Sequence, residues 1–206
     1  MVTRRQVLGG IGAVAALGMI AVKPATPVTT TEAGPTHGAG YFPNSLLTTH
    51  EGKQVRFYDD LIKDKFVVIN MMYAQCSEGI CPITTMNMRR VQKALGDRVG
   101  QDIHMYSITL LPHFDTPEVL NEYAKIHEVG PGWQFLTGAY EDIEAIRMKL
   151  GFYDQDPAID ADRTQHAGVV RIGHDAYDRW MMAPALGNVE PILQVIRHAD
   201  RATTKA

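Results

Sequence analysis

The chain has 206 residues, 45% hydrophobic and 21% charged, enough for one domain around a single buried core. A net charge of -3 with no long basic run leaves no electrostatic footprint for nucleic acid or for an anionic membrane surface. Only two cysteines occur, close together in Cys76-Ser77-Glu78-Gly79-Ile80-Cys81-Pro82, which excludes a disulfide scaffold spread over the chain.

In chain order, residues 1–25 carry Arg4-Arg5 ahead of an apolar stretch from Ile11 to Val22. This reads as a twin-arginine export signal. The other reading is a short membrane anchor, because the run from Val7 to Val22 falls a little short of the ~20 residues that span a bilayer. No Ala-x-Ala cleavage site follows. Both readings place the domain outside the cytoplasm, in the periplasm, released in one case and tethered in the other. Residues 26–40, rich in Pro, Thr, Gly and Ala, suit a flexible linker. The folded domain is expected over residues 41–200, with a tail at 201–206.

Within the domain, Val55-Arg56-Phe57 alternates after a turn signal, and Phe66–Met72 is a continuous apolar run that predicts a buried central strand. Pro82–Leu95 suits a helix, with proline in the first turn and Gly96 as its stop. Ile103–Leu111 predicts a second buried strand, and Asp115 or Thr116 can cap a helix reaching about His127. A short strand at Trp133–Leu136, a helix at Glu141–Leu150, a strand at Gly168–Ile172 and a closing helix at Val189–His198 follow. Alternation of this kind predicts an α/β fold, a central sheet covered by helices on both faces.

The two cysteines fall where the first buried strand gives way to a helix. A helix N-terminus carries partial positive charge and unsatisfied N–H groups, so a thiolate there is expected to be stabilised and its pKa to fall. Side chains five apart on a regular helix diverge by roughly 140°, which requires Cys76 to lie in the preceding loop. Gly79 supplies the backbone freedom to turn that loop back toward Cys81. Two adjacent thiolates can close a disulfide or bind Cu(I), and an imidazole would complete a trigonal copper site. Among eight histidines, His166 ends a polar loop just before a strand and His113 follows the second buried strand; His166 is the candidate and His113 the reserve.

Several segments in order resemble the SCO/SenC copper proteins of the thioredoxin superfamily. These are Cys-x-x-x-x-Cys-Pro after an apolar strand, Ser107–Pro112 with Asp115-Thr116-Pro117-Glu118 and Tyr123, Gly132–Gly138, and a late histidine before a strand. The resemblance covers about Leu46 to His198. It implies a thioredoxin-like domain that binds copper, as Cu(I) or Cu(II), through Cys76, Cys81 and His166, and delivers it to the copper centre of a haem-copper (cytochrome c) oxidase. The implied partners are a copper-accepting oxidase subunit or another periplasmic copper protein, and a thiol reductant. The alternative is an enzyme, a thiol-disulfide oxidoreductase in which Cys76 and Cys81 are the redox pair that reduces the cysteines of a copper site. The chain departs from the family in three places. Four residues rather than three separate the cysteines, Gln165 stands where an acidic residue commonly precedes the histidine, and Thr109-Leu110-Leu111-Pro112 replaces the usual Ile-Asp-Pro.

Other features are weighed as ordinary structure. Met86 and Met88 are two apart and point to different faces, one toward the core and one bordering the site. Met71 and Met72 read as core. Asp154, Asp156, Asp160 and Asp162 lack the glycine and closing glutamate of an EF-hand loop and read as a solvated loop. Tyr177 to Trp180 are expected in a loop after the last strand. A peroxiredoxin-like peroxidase is disfavoured because neither cysteine has threonine three positions before it.

Overall fold

The structure is a computed structural model that describes residues 40–77, 79–162 and 168–201. The expected export signal or anchor, nearly all of the linker, residues 202–206 of the tail, Glu78 and His166 lie outside the described residues. No helix among the described residues is long and apolar enough to cross a membrane.

The run Phe66–Met72 forms strand β3 with the predicted bounds, and every one of its residues is buried. Since successive side chains alternate across a sheet, that pattern requires cover on both faces. Strands β1 (Leu46–Thr49), β2 (Gln54–Arg56), β4 (Ile103–Thr109), β5 (Trp133–Gly138), β6 (Val169–His174) and β7 (Arg179–Pro184) complete a seven-stranded sheet in the order β2-β1-β5-β4-β3-β6-β7. β3, β4 and β5 run parallel, while β1, β6 and β7 pair antiparallel with their neighbours. Helices α1 (Ile80–Leu95), α2 (Pro117–Ile126), α3 (Tyr140–Leu150), α4 (Pro157–Ala161) and α5 (Glu190–Arg201) supply the α part of this α/β fold. α2 and α3 pack on β5, and α5 packs on β6 and β7.

Asn70 is the one amide in the apolar run of β3, and the register explains it. Asn70 pairs with Ser107 of β4, which pairs with Phe135 of β5. The Ser107 hydroxyl donates to Asn70 Oδ1 at 2.7 Å and accepts from Trp133 Nε1 at 2.9 Å. A buried polar chain thus crosses three strands with each link made, as buried polar groups require.

The structure corrects the reading of several segments. Phe57 does not continue β2; Phe57–Ile62 forms a π-helical turn that buries Phe57, Leu61 and Ile62 and is closed by Lys63 N donating to Tyr58 O at 2.9 Å. Residues 179 and 180 are not loop but the start of edge strand β7, where Trp180 packs on Phe42 with ring centroids 4.8 Å apart. The acidic late segment is not simply a solvated loop, because Asp156 caps α4 and Asp160 pairs with Arg147.

His50 lies half-buried at the β1 turn, and its Nδ1 accepts the Phe135 N–H at 3.1 Å. Burial lowers its pKa, and it does the same at His104, His127 and His174. Each lowered histidine binds fewer protons folded than unfolded, so stability is level above about pH 6.5 and falls as pH drops below it. Urea midpoints at pH 7.5 and 5.5 should show the loss. His50→Asn, which keeps an acceptor without a proton to gain, should flatten part of the slope; an unchanged slope contradicts the assignment to His50.

Candidate functional site

β3 ends at Met72, and the chain continues through Tyr73, Ala74 and Gln75 to Cys76. Gly79 turns it back. With φ of 78° it occupies the left-handed region as the N-cap of α1, where a side chain is strained. α1 therefore starts two residues earlier than predicted, at Ile80, with Cys81 in its first turn and Cys76 in the loop as the spacing required.

The extra residue between the cysteines does not separate them. The Cys81 backbone N–H donates to Cys76 Sγ at 3.4 Å, so the first turn of α1 offers one of its unpaired amides to the sulfur of the loop cysteine. Cys76 is 9% exposed and Cys81 1%. Both are buried, and Cys76 is the less covered of the two.

The expectation of a lowered pKa fails at Cys81. Burial pushes its thiol well above the ordinary cysteine range, the Tyr73 backbone N–H acts in the opposite direction, and Cys76 and Asp115 raise it further. Desolvation of a thiolate outweighs the helix N-terminus when the sulfur is inside the core. Burial therefore favours the protonated thiol at Cys81 over the thiolate.

Asp115 was legible only as a possible cap. Thr116 takes that role, its hydroxyl accepting from Val119 N at 3.4 Å, and Asp115 is 1% exposed. Its carboxylate accepts the Thr109 hydroxyl at 2.5 Å and the Ala74 N–H at 3.1 and 3.3 Å. The loop after β4 thus clamps the loop that carries Cys76, because both leave the same end of the parallel strands. Burial raises the Asp115 pKa against these hydrogen bonds. Since its charge holds the Cys81 pKa up, Asp115→Asn should lower that pKa and speed alkylation of Cys81 above pH 8; unchanged alkylation with the fold intact contradicts the coupling. Tyr123 closes the neighbourhood, its hydroxyl 3.0 Å from Thr85 Oγ1 and its pKa raised first by burial and further by both cysteines.

The other candidates separate clearly. Met88, Met71 and Met72 are core, whereas Met86 is exposed in a groove with Pro82, Ile83 and Ile126. His113 is exposed and stacks toward Tyr140, with centroids 6.1 Å apart. Among the described residues no group of three or more His, Cys, Asp or Glu side chains is arranged to hold a metal ion, and His166 is not among them. β6 runs antiparallel to β3, so Val169 lies toward the end of β3 from which the cysteine loop departs. Gly168 is held there, its carbonyl accepting Ala185 N at 2.7 Å, while Asn87 of α1 donates to Ala185 O at 2.7 Å.

The SCO1/SenC family profile matches residues 36–197. The chain belongs to the SCO1/SenC family. It is 31% identical to protein sco1 of Schizosaccharomyces pombe over 111 residues, 54% of this chain and 40% of that protein. It is 29% identical to the mitochondrial protein SCO2 of Saccharomyces cerevisiae over 111 residues, 54% of this chain and 35% of that protein. These matches span less than half the length of either relative. Among solved structures, a SCO1/SenC family lipoprotein from Bacillus anthracis superposes with a TM-score of 0.61 at 21% identity, covering 77% of this chain and 94% of that one. Copper-bound ScoI from Arabidopsis thaliana superposes with a TM-score of 0.59 at 18% identity, covering 76% and 96%. The SCO1/SenC domain here is therefore thioredoxin-like, with the strand-to-helix cysteine loop inside the matched region.

Proposed function

We propose that this SCO1/SenC protein carries copper as cargo, holding it through Cys76, Cys81 and His166 and passing it to a copper subunit of a haem-copper oxidase or another periplasmic copper protein. The observation that carries the reading is the junction itself. The Cys76 sulfur lies 3.4 Å from the Cys81 amide, so the four-residue spacer still folds the two thiols together, and soft sulfur pairs favour Cu(I). The direction of β6 supports His166 as the third ligand, and copper-bound structures of family relatives support the metal. Binding replaces thiol protons, so affinity rises with pH. Export through the Arg4-Arg5 segment places the protein in the periplasm, either released or tethered by the same segment. The test is anaerobic Cu(I) titration of reduced protein against a chelator, followed by addition of an apo oxidase copper subunit. One equivalent bound and then transferred supports the reading; no uptake overturns it.

A second reading, reduction of a partner's cysteines, is favoured by the asymmetry of the pair. Cys76, the less covered thiol, attacks a substrate disulfide, and Cys81 resolves the mixed disulfide after losing its proton. This chemistry needs no imidazole, so His166→Ala separates the two: it weakens a chaperone and spares a reductase.

A further inference from the structure

The opposite end of the parallel strands holds a second concave feature. Lys65 and Gly132, which directly precede β3 and β5, and Gly100, three residues ahead of β4, border a cavity of about 610 Å³, remote along the strands from the cysteine loop that leaves the carboxyl end of β3. Gly132 shapes its wall. At φ of +80°, an added Cβ would lie 2.6 Å from Gly100 N, so the loops before β4 and β5 press backbone against backbone.

The lining is unusual for its place. β4 is the fourth of seven strands, and central strands covered on both faces are normally apolar. Here His104 and Tyr106, two apart and thus on one face, both line the cavity, with parallel rings 6.4 Å apart. Gln134 of β5 sits in register beside Tyr106. No hydrogen bond joins the side chains of His104, Tyr106 or Gln134 to another described residue, although Tyr106 is buried and burial raises its pKa. Tyr106 is buried and His104 and Gln134 are half-buried on the cavity wall, where a bound partner would meet all three.

The charge identifies that partner. Lys53 and Lys65 line the same space, and Lys65 holds the Asp60 carbonyl. The single acid in the lining, Asp60, accepts the Arg56 backbone N–H at 2.6 Å. Two ammonium groups and three neutral donors around one space match an oxyanion. We propose that this cavity binds a small anion bearing carboxylate or phosphate oxygens, charge-paired by Lys53 and Lys65 and hydrogen-bonded by His104, Tyr106 and Gln134. No residue of the cysteine junction takes part, so the site stands or falls independently of copper.

The test is NMR of the His104 ring in the full chain, its resonance identified by loss in His104→Gln, during titration with citrate and, separately, inorganic phosphate at ionic strength held constant with sodium chloride. A saturable shift is expected with at least one anion, and the active anion names the source. Burial and Lys65 lower the His104 pKa, while Asp102 opposes them; a bound anion should raise it. Lys65→Gln and Lys53→Gln should each weaken binding about tenfold, and Tyr106→Phe should weaken it with the fold retained. No response beyond that of chloride, or equal affinity in the Lys53→Gln/Lys65→Gln double variant, overturns the proposal.

Discussion

Cys76→Ser and Cys81→Ser should each lower Cu(I) affinity by more than about a hundredfold, since even partners one step removed from a metal's ligands are worth about 10–100-fold. Serine preserves the size of either side chain, so the change isolates the loss of soft sulfur for hard oxygen. The two variants should then diverge in thiol exchange. Cys81→Ser leaves the less covered sulfur, which accepts the α1 amide, and should accumulate a mixed disulfide with a small disulfide probe. Cys76→Ser leaves only the more deeply buried thiol, whose pKa burial raises, and should react slowly. Competition titration and mass spectrometry read both effects. Equal copper affinity in wild type and either serine variant would contradict the two-sulfur site.

Arg147→Met should cost about 3 kcal/mol of stability, the lower end of the range for breaking a buried ion pair. Arg147 is 4% exposed and ties three pieces of chain together. It donates to both oxygens of Asp160 at 2.6 and 2.8 Å, to Glu144 at 2.9 Å and to the Phe152 carbonyl at 2.7 Å. Methionine fills the space of the stem but strands the two carboxylates. Their partial exposure, 21% each, keeps the cost from being larger. The urea midpoint should fall by on the order of 1 M, and adding Glu144→Gln and Asp160→Asn should recover part of it. A loss below about 0.5 kcal/mol, the size of an exposed pair, would contradict this account. Because Asp160 belongs to α4, which precedes the segment carrying His166, the variant also tests whether this anchor supports copper affinity.

The parts of the fold visible in sequence are those where one local pattern is sufficient. β3 follows from seven consecutive apolar or small-amide residues, and the stop of α1 follows from Gly96, which adopts φ of 58°. β7 escaped because Arg179, Met182 and Pro184 do not alternate as a half-buried strand does, and an edge strand tolerates them. The π-helical turn escaped because its five-residue hydrogen bond has no sequence period of its own. At the site, the cysteine pair and Gly79 were legible from spacing and chemistry. The thiol pKa was not, because the helix end is local information and the burial of Cys81 depends on the whole core. Asp115 was hidden for the same reason: its partner Ala74 lies 41 residues away, and a carboxylate before Thr-Pro-Glu looks like a cap until the tertiary clamp is seen.

The most direct measurement is X-ray absorption at the copper edge of Cu(I)-loaded protein and of its His166→Ala variant. Three-coordinate copper with two sulfurs and one nitrogen, reduced to two sulfurs in the variant, is the expected result. Identical spectra from the two proteins, or a copper shell without both sulfurs, would contradict the proposed site.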